Sequence, residues 1–322
     1  MKQVVECVPN FSEGRDSAKI DAIVRAIESV PGVLLLDRTS DPDHNRSVIT
    51  LAGEPELALE ASVRAVGKAA ELIDLRKHAG EHPRIGATDV LPFVPVRGIT
   101  LEECASLAHR TGREIWQRHR LPVYFYEAAA LRPERKDLAT VRRGRFEGLR
   151  EAILRDPERA PDVGEPRLHP SAGAIAVGAR KFLIAFNINL DTPDVEIAKR
   201  VAKAVRYSSG GLPYVKAIGV HLRSRGLAQV SMNLTDFERT PLRKAFDAVA
   251  SEAARHGAAI AGSEIVGLVP RRALDADAIS SLHLENFSAT QVFENRLQSA
   301  ENRLTNSKMV DMESARPEPR SE

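Results

Sequence analysis

KFLIAFNINLDTPDVEIAKRVAKAVRYSSGGLPYVKAIGVHLRSRGLAQVSMNL, residues 181–234, reads as a strand, a helix and two further strands in succession. Its opening, KFLIAFN (181–187), combines the aromatic and branched side chains that suit a pleated, half-buried surface. From 193 to 207, Val195, Ala198, Val201, Ala202 and Val205 recur at three- and four-residue steps, one face of a helix. Residues 214–222 and 228–234 are strands separated by a turn around Ser224, Arg225 and Gly226. Thr240 and Pro241 then predict a helix start, with threonine as N-cap and proline where its missing N–H costs little. Residues 265–269, ended by Pro270, close the unit as a strand, giving the order β-α-β-β-α-β.

The N-terminal half has the same rhythm. Residues 4–8 read as a strand ended by Pro9, and residues 16–30 as a helix whose apolar face is Ile20, Ile23, Val24, Ile27 and Val30. Strands at 33–36 and 47–52 flank a polar turn at 41–46, and Pro55 opens a second helix. Residues 90–96 read as a fourth strand, expected at an edge or bulge because of its prolines. A helix at 101–119 and a strand at 123–126 follow. Two copies of one split β-α-β plan predict an α+β chain of two ferredoxin-like subdomains. The expected division is 1–178, including a linker, and 179–304, with a disordered tail at 305–322. Residues 161–173 read as linker plus loop, and helix is expected from Arg271 to about Leu304.

Composition narrows the function. With 46 Lys+Arg against 44 Asp+Glu, the charge excess is too small for nucleic-acid binding by bulk charge. Residues 131–160 are locally basic, but aromatic residues do not interleave with them, so they read as a solvated helix face. The two cysteines, Cys7 and Cys104, exclude a disulfide scaffold and a CxxC site. No apolar run reaches the roughly 18 residues of a membrane span. No signal peptide is evident, and a soluble cytoplasmic protein is expected.

The densest polar segment is RKHAGEHPRIG, residues 76–86. HAGEH matches the H-x-x-E-H pattern of inverted zinc proteases. Gly80 and Pro83 oppose the helix such a site needs, and no third ligand is evident, so no metal is expected. His82, between Glu81 and Pro83, suits proton transfer near neutral pH. On the residues alone, a solvated loop histidine is the simpler reading. His78 reads as a helix-terminal surface histidine. In DRTSDPDHNR (37–46), Asp37 closes one strand and Arg46 opens the next, so both could project toward a site. Arg46 suits a bidentate carboxylate contact or a surface ion pair. The Gly-rich pieces at 171–173 and 208–211 fit neither a P-loop nor a GxGxxG motif. A Gly-x-Ser-x-Gly elbow is absent from the sequence.

VECVPNFSEGRD (5–16), EHPRIGATDVLPFVPVRG (81–98), GARKFLIAFNINL (178–190), LAQVSMNLTDFE (227–238) and VGLVP (266–270) closely resemble the glutamate formiminotransferase family. The resemblance runs in order along nearly the whole chain except the tail. It implies transfer of a formimino group from N-formimino-L-glutamate to N5 of tetrahydrofolate, late in histidine degradation. It implies two α+β subdomains with a ligand groove between them, a homodimer, and tetrahydrofolate as co-substrate. The family's catalytic histidine resembles His82. Its folate-contacting stretch resembles Gly164, Glu165, Pro166, Arg167, Leu168, His169, Pro170, Ser171, Ala172 and Gly173, whose centre diverges. Asp37, Asn45 and Arg46 resemble further polar positions, and Arg46 or Lys181 could hold the glutamate carboxylates. The vertebrate form is fused to a cyclodeaminase; here that activity is expected to be absent or supplied by a separate partner. Small molecules, not nucleic acid or membrane, are the expected partners. Two alternatives stand beside this reading: formyl transfer from N-formylglutamate, and folate binding without turnover.

Overall fold

The computed structural model describes residues 1–42, 44–80, 83–223 and 225–314. They form two compact units, residues 1–180 together with the last helix from 299, and residues 181–298.

The first unit opens with β1 (Val4–Cys7) and β2 (Asn10–Phe11), parted at Val8 and Pro9. Helix α1 (Ser17–Glu28) is capped by Asp16, whose carboxylate accepts the Ala18 and Lys19 amides. Strands β3 (Leu34–Asp41) and β4 (Arg46–Gly53) form a hairpin, and α2 (Pro55–Leu72) leads to β5 (Thr88–Arg97). Helix α3 (Leu101–His119) starts in a capping box: the Thr100 hydroxyl accepts the Glu103 amide, and the Glu103 carboxylate accepts the Thr100 amide. Then come β6 (Val123–Glu127), α4 (Leu138–Val141), α5 (Arg145–Ala152) and β7 (Ile175–Ala179). The sheet runs β3, β4, the β1–β2 pair, β5, β7, β6. Pairings as far as β5 are antiparallel, whereas β7 lies parallel to both β5 and β6.

One expectation is narrowed here and another corrected. Of the edge or bulge expected for the proline-bearing strand, the structure has the bulge: β5 sits between β1–β2 and β7, with a register shift against each of β1 and β2. Its prolines are tolerated because the register slips between Val4 and Val5, opposite Arg97 and Pro95, and because Pro92 still accepts the Val8 amide at 3.2 Å. The basic run is not simply a solvated face. Arg135 is buried against Asp162 at 2.6 Å, and Arg142 pairs with the buried Asp89.

The second unit comprises β8 (Ile184–Leu190), α6 (Val195–Val205), β9 (Val215–Leu222), β10 (Leu227–Leu234), α7 (Leu242–Arg255) and β11 (Ile260–Val266). Its antiparallel sheet is ordered β11-β8-β10-β9. Phe186 and Ile188 on β8 alternate with Asn187 and Asn189, so one sheet face meets the apolar sides of α6 and α7. Each such fully buried side chain contributes roughly 1.5–3 kcal/mol. Thr240 is not the cap of α7; its hydroxyl donates to the Pro213 carbonyl at 2.6 Å, and Pro241 holds the cap position. The region after Pro270 is less helical than expected, with only short α8 (Ala278–Ser281) before α9 (Phe293–Ser314). Among the described residues no helix is long and apolar enough to cross a membrane.

Candidate active site

Four segments of the first unit converge: the loop after β2, the β3–β4 turn, the long loop between α2 and β5, and the start of α5. Asn45 pins three of them. Its backbone is left-handed (φ 49°), a conformation asparagine tolerates better than most residues. The side-chain oxygen accepts the Gly14 amide at 2.9 Å, and Nδ2 donates to the Ala79 carbonyl at 3.0 Å. Its main-chain carbonyl lies 3.0 Å from Nε2 of His78. Gly80 is required beneath it, since a Cβ there would sit 2.4 Å from the His44 carbonyl oxygen.

His78 is therefore not the surface histidine its position suggested. Arg84 Nε, which can only donate, gives its hydrogen to His78 Nδ1 at 2.8 Å. That leaves Nε2 as the protonated nitrogen of a neutral ring, donating to Asn45. Burial lowers the His78 pKa, and the Arg84 charge adds to the effect, while the bond to Asn45 opposes it. Arg84 is buried; it also donates to the His78 carbonyl at 3.0 Å and to both Glu147 oxygens at 3.0 and 3.3 Å. Partial burial pushes the Glu147 carboxyl up, but the Arg84 hydrogen bond and charge outweigh it and hold it below the ordinary carboxylate value.

Deeper lies a second charged group. Asp89 accepts the Ile85 amide at 2.9 Å and pairs with Arg142. Burial, with the like charge of Arg142, brings Arg46 down to about 10. Outside this group opens a cavity of about 450 Å³ whose walls include Arg15, His78, Gly80, Arg84, Arg145 and Glu147.

The loop 164–173 divides in two. Gly164, Glu165, Pro166 and Arg167 are exposed, with a 3.1 Å ion pair between Arg167 and Glu165. Leu168 is buried, and Pro170 is exposed. His169 exchanges both backbone hydrogen bonds with Gly173 at 3.0 Å, and its Nδ1 accepts the Ala172 amide at 3.0 Å. Burial lowers its pKa. The Ser171 carbonyl accepts the Leu75 amide at 2.8 Å and the Ala172 carbonyl the Ala87 amide at 2.9 Å. This end of the loop is thus stitched to the base of the segment that carries His78 and Arg84.

Of the residues singled out from sequence, Asn45 and Arg46 come together with His78 and Arg84. Asp37, half-buried on β3 opposite Thr50, lines neither cavity. Lys181 belongs to the second unit, paired with Asp236 at 2.8 Å and Glu238 at 3.4 Å. His82 lies outside the described residues. Arg142 and Glu147 carried no sequence signal beyond lying in the charged run 131–160, and Asp89, inside the stretch 81–98, was not singled out. Among the described residues, no group of three or more His, Cys, Asp or Glu could hold a metal ion.

Guanidinium groups on several segments around an open cavity make a positively charged cleft whose chemistry suits carboxylate ligands. The model of the formiminotransferase domain's N-terminal subdomain matches residues 4–180, and that of the formiminotransferase domain matches 185–310. The chain belongs to the formiminotransferase family. It is 48% identical over 298 residues to the glutamate formimidoyltransferase of Streptococcus pyogenes serotype M1, covering 92% of this chain and 99% of that one. It is 45% identical over 301 residues to the glutamate formimidoyltransferase of Thermoplasma acidophilum, covering 93% and 99%. The formimidoyltransferase-cyclodeaminase of Mus musculus is 47% identical over 280 residues, 85% of this chain and 51% of that protein.

Proposed function

We infer that this protein transfers the formimino group of N-formimino-L-glutamate to N5 of tetrahydrofolate, releasing L-glutamate. The observation that carries this is similarity along nearly the full length of two relatives named glutamate formimidoyltransferase. The folate is co-substrate: N5 attacks the formimino carbon, the N5 proton is removed, and the C–N bond to glutamate breaks as that nitrogen is protonated. His82 is proposed as the group that takes the first proton and returns it to the departing nitrogen, work that contributes on the order of 10²–10⁴-fold. Its neighbourhood supports the assignment, because residues 78–80 and Arg84 on either side of it line the cavity. Residues 164–173 are proposed to contact the folate, and their bonding to Leu75 and Ala87 supports that reading.

Two ferredoxin-like subdomains, 1–178 and 179–304, are part of the same proposal. Its support is the strand order: read with β1 and β2 as one strand, each β-α-β-β-α-β run is arranged fourth, first, third, second. Homodimerisation and a cytoplasmic location complete it.

The test is a single-turnover assay with tetrahydrofolate and N-formiminoglutamate, following absorbance and glutamate release in wild type and His82→Ala. Turnover by the wild type, with at least a hundredfold loss in the variant and tetrahydrofolate binding retained, is expected. A wild-type protein that releases no glutamate from this donor overturns the reading.

A further inference from the structure

We propose that Arg15 and Arg145 form a subsite for a glutamyl dicarboxylate in the 450 Å³ cavity. The inference rests on the transfer reaction above and names the residues that select its substrate. The other charged groups of that cavity are already engaged. Arg84 is buried and committed to His78 and to both oxygens of Glu147, and the His78 ring is neutral with both nitrogens used. Lys181 is held by two carboxylates of its own unit, and Arg46 lines the smaller site beside Asn45 rather than this cavity.

Arg15 and Arg145 differ. Both are exposed, both line the cavity, and neither has an ion-pair partner among the described residues. They stand on separate segments. Arg15 follows β2 and is steadied by donation from Nε to the Pro42 carbonyl at 2.7 Å, which leaves its two terminal nitrogens for a ligand. Arg145 opens α5 directly after Gly144, and both residues are left-handed, with φ 56° and 84°. A guanidinium matches a carboxylate in a two-bond fork, so two on different walls favour a ligand with two carboxylates over one with a single acid group. Two participants in the reaction carry that chemistry: the glutamate of the donor and the glutamyl end of the folate.

The experiment measures steady-state constants for both substrates with wild type, Arg15→Gln, Arg145→Gln and the double variant. Calorimetric titration of L-glutamate, glutarate and L-glutamine runs alongside, and circular dichroism confirms folding. Each single variant is expected to raise the KM for N-formiminoglutamate about tenfold to a hundredfold, leaving kcat and the tetrahydrofolate KM in place. A rise confined to the tetrahydrofolate KM keeps the subsite and assigns it to the folate's glutamyl end. Unchanged KM values for both substrates overturn the proposal. If the wild type does not transfer a formimino group, titration decides separately. L-glutamate and glutarate binding more tightly than L-glutamine, and weakened by both variants, sustains the subsite; equal binding by wild type and variants refutes it.

Discussion

Asn45 allows its side chain and its backbone to be weighed apart. Asn45→Gly keeps the left-handed backbone without strain but removes the acceptor of the Gly14 amide and the donor to Ala79. Gly14 is buried, so its amide is left without a partner, whereas the exposed Ala79 can turn to water. The expected loss is about 2 kcal/mol. Asn45→Ala suffers the same losses and adds a Cβ at φ 49°, which brings the total to about 3 kcal/mol. Urea unfolding followed by Trp116 fluorescence measures both, because the single tryptophan lies on α3 in the unit that contains Asn45. Equal destabilisation by glycine and alanine refutes the backbone argument. Two variants within about 0.5 kcal/mol of wild type refute the claim that this side chain ties the loops together.

Glu6 offers a pH test. Burial raises its carboxyl to about 7 from an ordinary 4.5, with Arg180 opposing. Between those values the unfolded chain gives up a proton that the folded one keeps, so stability falls as pH rises and levels off above about 7. Glu6→Gln should abolish that slope, worth up to about 3 kcal/mol, in urea titrations below and above the window; an unchanged slope removes Glu6 as its source. Arg135→Ala strands the buried Asp162 carboxylate and should cost about 3–5 kcal/mol in chemical denaturation, while Arg135→Ala with Asp162→Ala should recover part of it. A single variant as stable as wild type refutes that account.

The elements that were legible in the sequence are those whose signal is local. The spacing of Ile20, Ile23, Val24 and Ile27 announced α1, and a helix from Leu101 to about His119 was legible where α3 lies. Strand β7 escaped because a parallel strand buried on both faces shows no alternation, and IAVGA is short and small besides. The prolines of β5 announced an edge or a bulge without deciding between them, and the two register shifts, each with one extra residue on β5 opposite consecutive residues of β1 or β2, are visible only once the strands are paired. At the candidate site, Asn45, Arg46 and the 76–86 segment stood out as dense polar clusters. The engagement of Arg84 with Glu147, and of Arg142 with Asp89, joins residues far apart in the chain, and only folding reveals it.

The late placement of β7 between β5 and β6 also bears on how the chain can be made. Both flanking strands leave the ribosome before the strand that joins them, so until residue 179 emerges each has an open row of amides and carbonyls. A nascent chain in that state invites pairing with other nascent chains, and any truncation between β6 and β7 would make the condition permanent. Expression of the first unit alone thus requires a fragment extending through β7, and chaperone demand should fall once that strand is synthesised.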